Sequence, residues 1–173
     1  RPRPDRPTGM QTAHSSKIHV AEQHSHRLAK YSTFFVLIKK WGVDGPGPGQ
    51  LEYPTNLAFS PDHSKLYVTN LLGGRVSVFN RNGTFLSSFG SAGAGPGQFN
   101  YPFSIVVDPA TGDLFITNEL NNRVDRWTGA GTYLSSFGSL GSGFGQFHFP
   151  VGIGMDPVSG DLFVTDPLNN RIE

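Results

Sequence analysis

The chain has no cysteine, which excludes disulfide cross-links, thiolate metal ligands and cysteine nucleophiles. That fits a reducing compartment, and equally bacterial or extracellular proteins that dispense with disulfides. Charge is scarce too: Asp, Glu, Lys and Arg make up 16% of the 173 residues. No apolar run approaches the roughly 20 residues that span a bilayer as a helix. The longest, Phe34-Phe35-Val36-Leu37-Ile38, is the length of one strand. No signal peptide is visible, and the start at Arg1 reads as processing or a fragment boundary.

What the chain does have is 22 glycines, 13 prolines and 14 phenylalanines. This balance suits short strands joined by tight turns, with aromatic bulk to pack sheet on sheet, and disfavours long helices. The net charge of +1 hides an asymmetry. Residues 1–40 hold eight Lys/Arg against two acids, and residues 41–173 hold six against eleven. Only the first part would favour an anionic partner.

The informative feature is self-similarity at a spacing of 48 residues. Phe89-Gly90-Ser91 matches Phe137-Gly138-Ser139, and Trp41-Gly42 stands in the same place. Tyr53-Pro54, Tyr101-Pro102 and Phe149-Pro150 follow, then Leu66-Tyr67-Val68-Thr69, Leu114-Phe115-Ile116-Thr117 and Leu162-Phe163-Val164-Thr165. Between 89–125 and 137–173, 21 of 37 positions are identical, which chance does not produce. A worn first copy precedes these, with Lys17-Ile18-His19-Val20 and Arg27-Leu28 in frame. Within a copy, Ser104 to Val107, Leu114 to Thr117, Arg123 to Trp127 and Thr132 to Phe137 read as four strands separated by turn sequences. Four antiparallel strands per repeat predict an all-β propeller; a β-helical solenoid is the structural rival. The expected division is a basic Pro/Arg-rich tail at 1–6, an eroded blade at 7–40, blades at 41–88 and 89–136, and a truncated blade at 137–173.

These motifs resemble the NHL repeat family. They are Phe-Gly-Ser-x-Gly-x-Gly-x-Gly-Gln-Phe-x-x-Pro (89–102, 137–150), Asp-Pro-x-x-Gly-Asp-Leu-Phe-x-Thr (108–117, 156–165) and Asn-Asn-Arg-Val/Ile (121–124, 169–172). The resemblance implies four-stranded blades with each first strand lining the axis, six blades being usual. This chain holds about 3.6, an incomplete ring. The open ends would leave two apolar blade faces wet, forfeiting on the order of 10 kcal/mol each. Further blades elsewhere, or other copies of the chain, are therefore expected to cover them, with an unusually small, distorted closed propeller as the third alternative, and the purified chain is not expected to be a monodisperse monomer.

Candidate sites are few. The glycine loops (Gly45 to Gln50, Gly93 to Gln98, Gly141 to Gln146) lack the lysine and following helix of a phosphate cradle and read as blade crossovers. His19, His24 and His26 have a spacing that could hold zinc, but no carboxylate or cysteine supports them, and His19 sits in the aromatic slot of Tyr67, Phe115 and Phe163. The recurring arginines Arg27, Arg75, Arg123 and Arg171 read as structural. The NHL pattern implies an aspartate ending the second strand to serve them, but here that slot holds Glu22, Asn70, Asn118 and Asp166. Asn82-Gly83-Thr84 is a sequon in a turn, leaning towards an extracellular or cell-surface location.

Related propeller enzymes sharpen the reading. The amidating lyases, which the pattern also resembles, imply a metal-binding histidine after the strand-one proline, where this chain has Thr55, Phe103 and Val151. Lactonase-like propellers imply axial Glu, Asn and Asp around calcium, and of Asn56, Ser104 and Gly152 only Asn56 qualifies. RNA binding, known among NHL propellers, would need cationic loops, which 41–173 lack. The expectation is thus a non-catalytic binding or assembly module with no cofactor. It would present Tyr53, Tyr101, Phe149, Asn121, Asn122, Asn169 and Asn170 to a protein partner, further copies of itself or a glycan. The alternative is a fragment of a lyase- or hydrolase-like propeller enzyme whose catalytic residues lie outside this chain.

Overall fold

The structure, a computed structural model, describes residues 7–13 and 17–173, so the expected tail at 1–6 lies outside the described residues. Blade 1 comprises β1 (Pro7–Ala13), β2 (Lys17–Glu22), β3 (Arg27–Ser32) and β4 (Leu37–Trp41). Blade 2 comprises β5 (Pro54–Phe59), β6 (Lys65–Asn70), β7 (Arg75–Asn80) and β8 (Phe85–Phe89). A short parallel pair, β9 (Ser91–Ala92) and β10 (Gln98–Phe99), lies in the next crossover. Blade 3 comprises β11 (Pro102–Val107), β12 (Leu114–Asn118), β13 (Arg123–Trp127) and β14 (Tyr133–Phe137). Blade 4 has three strands, β15 (Ile153–Met155), β16 (Leu162–Asp166) and β17 (Arg171–Ile172). Each blade is an antiparallel meander in chain order, and β1, β5, β11 and β15 lie side by side as inner strands. This is an arc of a β-propeller. The sequence repeat and the blade are out of phase: the unit beginning at Trp41 opens on the last residue of β4.

Alternation along each strand sends one set of side chains to each neighbouring blade. Ala21 and Leu28 of blade 1 meet Leu57, Leu66, Val68 and Phe79 of blade 2. Tyr67, Val76 and Val78 of blade 2 meet Ile105, Leu114, Ile116 and Trp127 of blade 3, and Val124 meets Phe147 and Val164 of blade 4. The rings of Phe99 and Trp127 stack at 5.2 Å. Trp41, Phe89 and Phe137 bear on this packing from the outer strands.

A second contact joins the inner rims. The backbone irregularities at Pro54/Leu57 and Pro102/Ile105 re-aim the first residues of β5 and β11. The second-strand threonine then works in two directions. Thr69 Oγ1 accepts from Asn56 N (3.0 Å) and donates to Phe103 O of the next blade (3.0 Å). Thr117 Oγ1 repeats this with Ser104 N (2.9 Å) and Val151 O (2.7 Å). Thr165 Oγ1 accepts from Gly152 N (2.7 Å) in its own blade. The matching residue of blade 1 is Ala21, and there the inner strands close up instead: a Cβ on Gly9 would sit 2.7 Å from Asn56 Cα.

The end faces show what a neighbour does. Met10, in the slot of the buried Leu57, is 64% exposed; Ile172, in the slot of the buried Val124, is 69% exposed. Phe163 lies open where Tyr67 is buried.

His19 fills its aromatic slot as a neutral ring, buried edge-on to Phe59 (5.0 Å) and Trp41 (6.0 Å), with neither nitrogen hydrogen-bonded among the described residues. Burial, reinforced by the Lys30 charge, lowers its pKa from 6.5 to about 4. The unfolded chain therefore takes up a proton below pH 6.5 that the folded chain resists down to about pH 4. Stability contributed by the neutral ring is present above pH 6.5 and falls across that window by about 3 kcal/mol. Urea unfolding at pH 7 and pH 4.5 is expected to show a smaller loss in His19→Phe than in the parent. Equal losses would refute the buried neutral imidazole.

Candidate functional site

The second-to-third-strand turns and the blade crossovers lie at one end of the blades, because both follow strands that run the same way. The crossover is shaped by its glutamine. Gln50, Gln98 and Gln146 fold back so that Oε1 accepts from the backbone N of Gly47, Gly95 and Gly143 at 2.8–2.9 Å. A Cβ on Gly93 or Gly141 would meet that amide at 2.5 or 2.2 Å, so glycine is needed there. The loop is thus filled by its own side chain and leaves no cradle for a phosphate.

The arginines clamp the same loops. Arg75 donates to Gly45 O and Gln50 O, Arg123 to Ala94 O, Gly95 O and Gln98 O, and Arg171 to Ser142 O, Gly143 O and Gln146 O. Each has a carboxylate, drawn from different positions: Arg27 pairs with Glu22, Arg75 with Glu52 (2.6 Å), Arg123 with Asp125 (2.7 Å) and Arg171 with Asp166 (3.1 Å). Where the second strand ends in Asn70 or Asn118, the acid comes from Glu52 or Asp125. Those asparagines hold the loop backbone instead, as Asn70 Oδ1 accepts from Glu52 N (3.1 Å) and Asn118 Oδ1 from Asn100 N (2.8 Å). Burial pushes the Asp125 carboxyl above the usual range, with the Asn118 amide and Arg123 guanidinium pulling it back.

Tyr53, Tyr101 and Phe149 hold left-handed φ of 61°, 63° and 59°, an uncommon conformation for aromatic residues, just before the inner-strand proline. The preceding blade secures two of them. Tyr53 N donates to His26 Nδ1 (3.2 Å) and Phe149 N to Asn122 Oδ1 (3.0 Å). His24 and His26 stack edge-on against Tyr53 at 5.2 and 5.6 Å, apart from the buried His19. Among the described residues no group of three or more His, Asp or Glu is arranged to hold a metal ion. Asn121 Nδ2 donates to Gly93 O (3.0 Å), and Asn169 Nδ2 to Gly141 O (2.8 Å) and Asp166 Oδ2 (2.7 Å), so these amides serve the loops. Asn170, in the left-handed slot of Asn122, stands on the open side of blade 4. Asn82 is exposed at the β7–β8 turn.

Beneath the aromatic residues the inner strands form a neutral rim. Gly9, Asn56, Ser104 and Gly152 occupy matching positions, and Asn56 Nδ2 donates to Ser104 Oγ at 2.9 Å. Asn56 Oδ1 also accepts from Leu57 N at 2.6 Å, which fixes the amide and leaves one N–H without a partner among the described residues. Thr55 is buried against Thr69 Oγ1 (2.9 Å) and Phe103 O (2.7 Å). Neither the rim residues nor Thr55, Phe103 and Val151 beside them include a carboxylate or a histidine. The residues present do not fit a metal ion by themselves. At the other end of the inner strands is a cleft of about 500 Å³ lined by Phe59, Ser60, His63, Val107, Pro109 and Pro157, a largely apolar set without a carboxylate or ammonium.

Residues 50–124 match a protein family described as a 6-bladed beta-propeller. In overall structure the chain is similar to virginiamycin B lyase from Staphylococcus aureus, with 17% identity and a TM-score of 0.72 over 96% of this chain and 50% of that one. It is similar to a gluconolactonase from Xanthomonas campestris (19% identity, TM-score 0.69, 96% and 57% covered). It is also similar to an auxiliary nutrient binding protein from Bacteroides thetaiotaomicron (16%, 0.71, 95% and 46%). No curated protein matches the chain by sequence. The chain spans about half the length of these solved structures, and at such identities the likeness is one of fold.

These likenesses correct one expectation. A non-catalytic chain was expected because no catalytic set recurs along it, yet a lyase and a gluconolactonase share its fold. The physical reason is that a propeller gathers side chains at its axis from every blade. A neutral rim on some blades is therefore compatible with catalysis by the whole.

The arginine clamp is testable. Arg123→Met strands the buried Asp125 and is expected to cost about 3 kcal/mol in urea unfolding. Arg75→Met should cost less, since Glu52 can rehydrate, and adding Asp125→Asn to Arg123→Met should recover part of the loss. Equal costs at the two arginines would contradict the assignment.

Proposed function

We propose that the chain is part of an NHL-type propeller enzyme of the lyase or lactonase kind, and that it supplies the neutral share of an axial ligand site. In this reading the acid–base groups, and any metal ligands, come from blades outside this chain. Asn56 and Ser104 hold polar oxygens of the ligand, and Gly9 and Gly152 leave the room to reach them. The left-handed aromatics Tyr53, Tyr101 and Phe149 form the apolar wall above, suited to one face of a ring.

The observation that supports the reading most is the Asn56–Ser104 hydrogen bond at the inner rim. Two polar side chains are fixed against each other across two blades, in slots where the flanking blades carry glycine. A rim built only for packing would fill those slots with Val or Ile, much as Leu57 and Ile105 fill the positions one residue further along. The kinship in fold with a lyase and a gluconolactonase supports the class of ligand.

Titration of the chain with gluconolactone and with virginiamycin B, followed by ligand-observed NMR, is expected to show millimolar binding of at least one of them. Asn56→Ala should weaken it about fivefold, the worth of one neutral hydrogen bond, with the melting temperature nearly unchanged. Absence of binding to both, or binding indifferent to Asn56→Ala, would overturn the proposal.

A further inference from the structure

The β3–β4 turn of blade 1 departs from its counterparts. In blade 2 the turn is Asn80-Arg81-Asn82-Gly83-Thr84 and in blade 3 Thr128-Gly129-Ala130-Gly131-Thr132, polar or small throughout. In blade 1 it is Ser32-Thr33-Phe34-Phe35-Val36. The backbone is the same: Ser32 N donates to Val36 O (2.9 Å), as Asn80 N donates to Thr84 O (2.8 Å). Phe35 sits at φ 58°, the left-handed slot that Gly83 (84°) and Gly131 (89°) fill without strain. Both rings point into solvent, Phe34 87% and Phe35 75% exposed, followed by the exposed Val36, Leu37 and Ile38.

A missing neighbouring blade does not account for this tip. Asn82 and Ala130 occupy the slot of Phe34 in blades flanked on both sides, and both remain exposed. The slot lies beyond the last ladder pair, Tyr31 with Leu37, so blade stacking does not reach it. Bulky aromatic residues were placed at an outward turn where the other repeats keep glycine and polar residues.

Cations cluster on one side of the tip. Lys17 faces Ser32 and Lys30 faces Lys39 across the ladder, so the three lysines share the side of blade 1 that looks towards the β7–β8 turn and Arg81. Burial, then the charges of Arg81, Lys17 and Lys39, lowers the Lys30 pKa, as expected of ammonium groups gathered without a counter-ion. Among the described residues Lys17, Lys30 and Lys39 pair with no carboxylate, Lys39 donates to Asn82 O (2.7 Å), and Glu22 of the same blade is held by Arg27 and Lys40. An apolar aromatic tip flanked on one side by a cluster of cations is complementary to anionic headgroups over an acyl interface.

We propose that this hairpin is a peripheral membrane-contact element, seating Phe34 and Phe35 in the interface of an anionic lipid surface while Lys17, Lys30, Lys39 and Arg81 meet the headgroups. No helix among the described residues is long and apolar enough to cross a membrane, and the contact proposed is with the surface.

The test is co-sedimentation of the chain with vesicles of phosphatidylcholine, alone or with about one third phosphatidylglycerol. Binding is expected to the anionic vesicles and to weaken as salt rises. Phe34→Asn with Phe35→Gly, which restores the turn of blade 2, should lower the partition coefficient more than about tenfold without lowering the melting temperature. Lys17→Gln and Lys30→Gln should each lower it about fivefold while leaving the apolar tip intact, which guards against misfolding of the double variant. No binding to anionic vesicles would overturn the proposal. So would binding that the tip variant leaves unchanged, which would assign it to the open blade faces. Loss of self-association in the tip variant with vesicle binding retained would make the hairpin a contact between copies and overturn it equally.

Discussion

A blade of this protein cannot bury its two faces alone, and almost everything else in the structure follows from that. Its strands alternate so strictly that one half of the apolar side chains is useful only to the blade before and the other half only to the blade after. Where the neighbour is present, as between blades 2 and 3, Tyr67, Val76, Ile116 and Trp127 are buried together. Where it is absent, residues in matching slots, Met10 and Ile172 among them, lie in water. The threonine of the second strand adds direction to this contact, tying its own inner strand and the next one through a single hydroxyl.

That dependence also organises the loop face. A crossover must leave the outer edge of one blade and enter the inner strand of the next, so it carries many backbone groups with no ladder to join. The glutamine and the arginine of each repeat satisfy these groups from within, and a left-handed aromatic followed by proline starts the next strand. The side chains held in this way lie at the end of the blades where the inner strands begin, near the Asn56–Ser104 hydrogen bond. In the function proposed, such a rim contributes rigidly placed neutral hydrogen-bonding groups to a ligand site, and the charged groups come from other blades.

Much of this was legible in the sequence because the repeat is itself the fold. The 48-residue spacing pointed to repeated antiparallel units of a propeller, although its frame runs out of phase with the blades, and the aromatic slot read for His19 is one that the structure buries. The glycine loops read as blade crossovers, and their filling by Gln50, Gln98 and Gln146 shows only in the folded chain. Three things were hidden. The carboxylates that serve the arginines come from Glu52 and Asp125 in two repeats, positions that matter only once a loop has folded back. Asn121 and Asn169 looked available for partners, but their amides are taken by Gly93 O and Gly141 O. The third is the likeness in fold to a lyase and a gluconolactonase, which no motif along the chain announces because a propeller axis collects side chains from several blades. Phe35 was missed although its signal was present, as an aromatic aligned with Gly83 and Gly131.

The central claim, that each blade owes its stability to its neighbours, is tested most directly by backbone amide hydrogen exchange. The account predicts the slowest exchange in β6, β7 and β12, whose blades are flanked on both sides. It predicts markedly faster exchange in β2, β3, β16 and β17, although these strands belong to the same kind of ladder. Uniform protection across all the blades would contradict it, because the ladder within each blade would then suffice on its own.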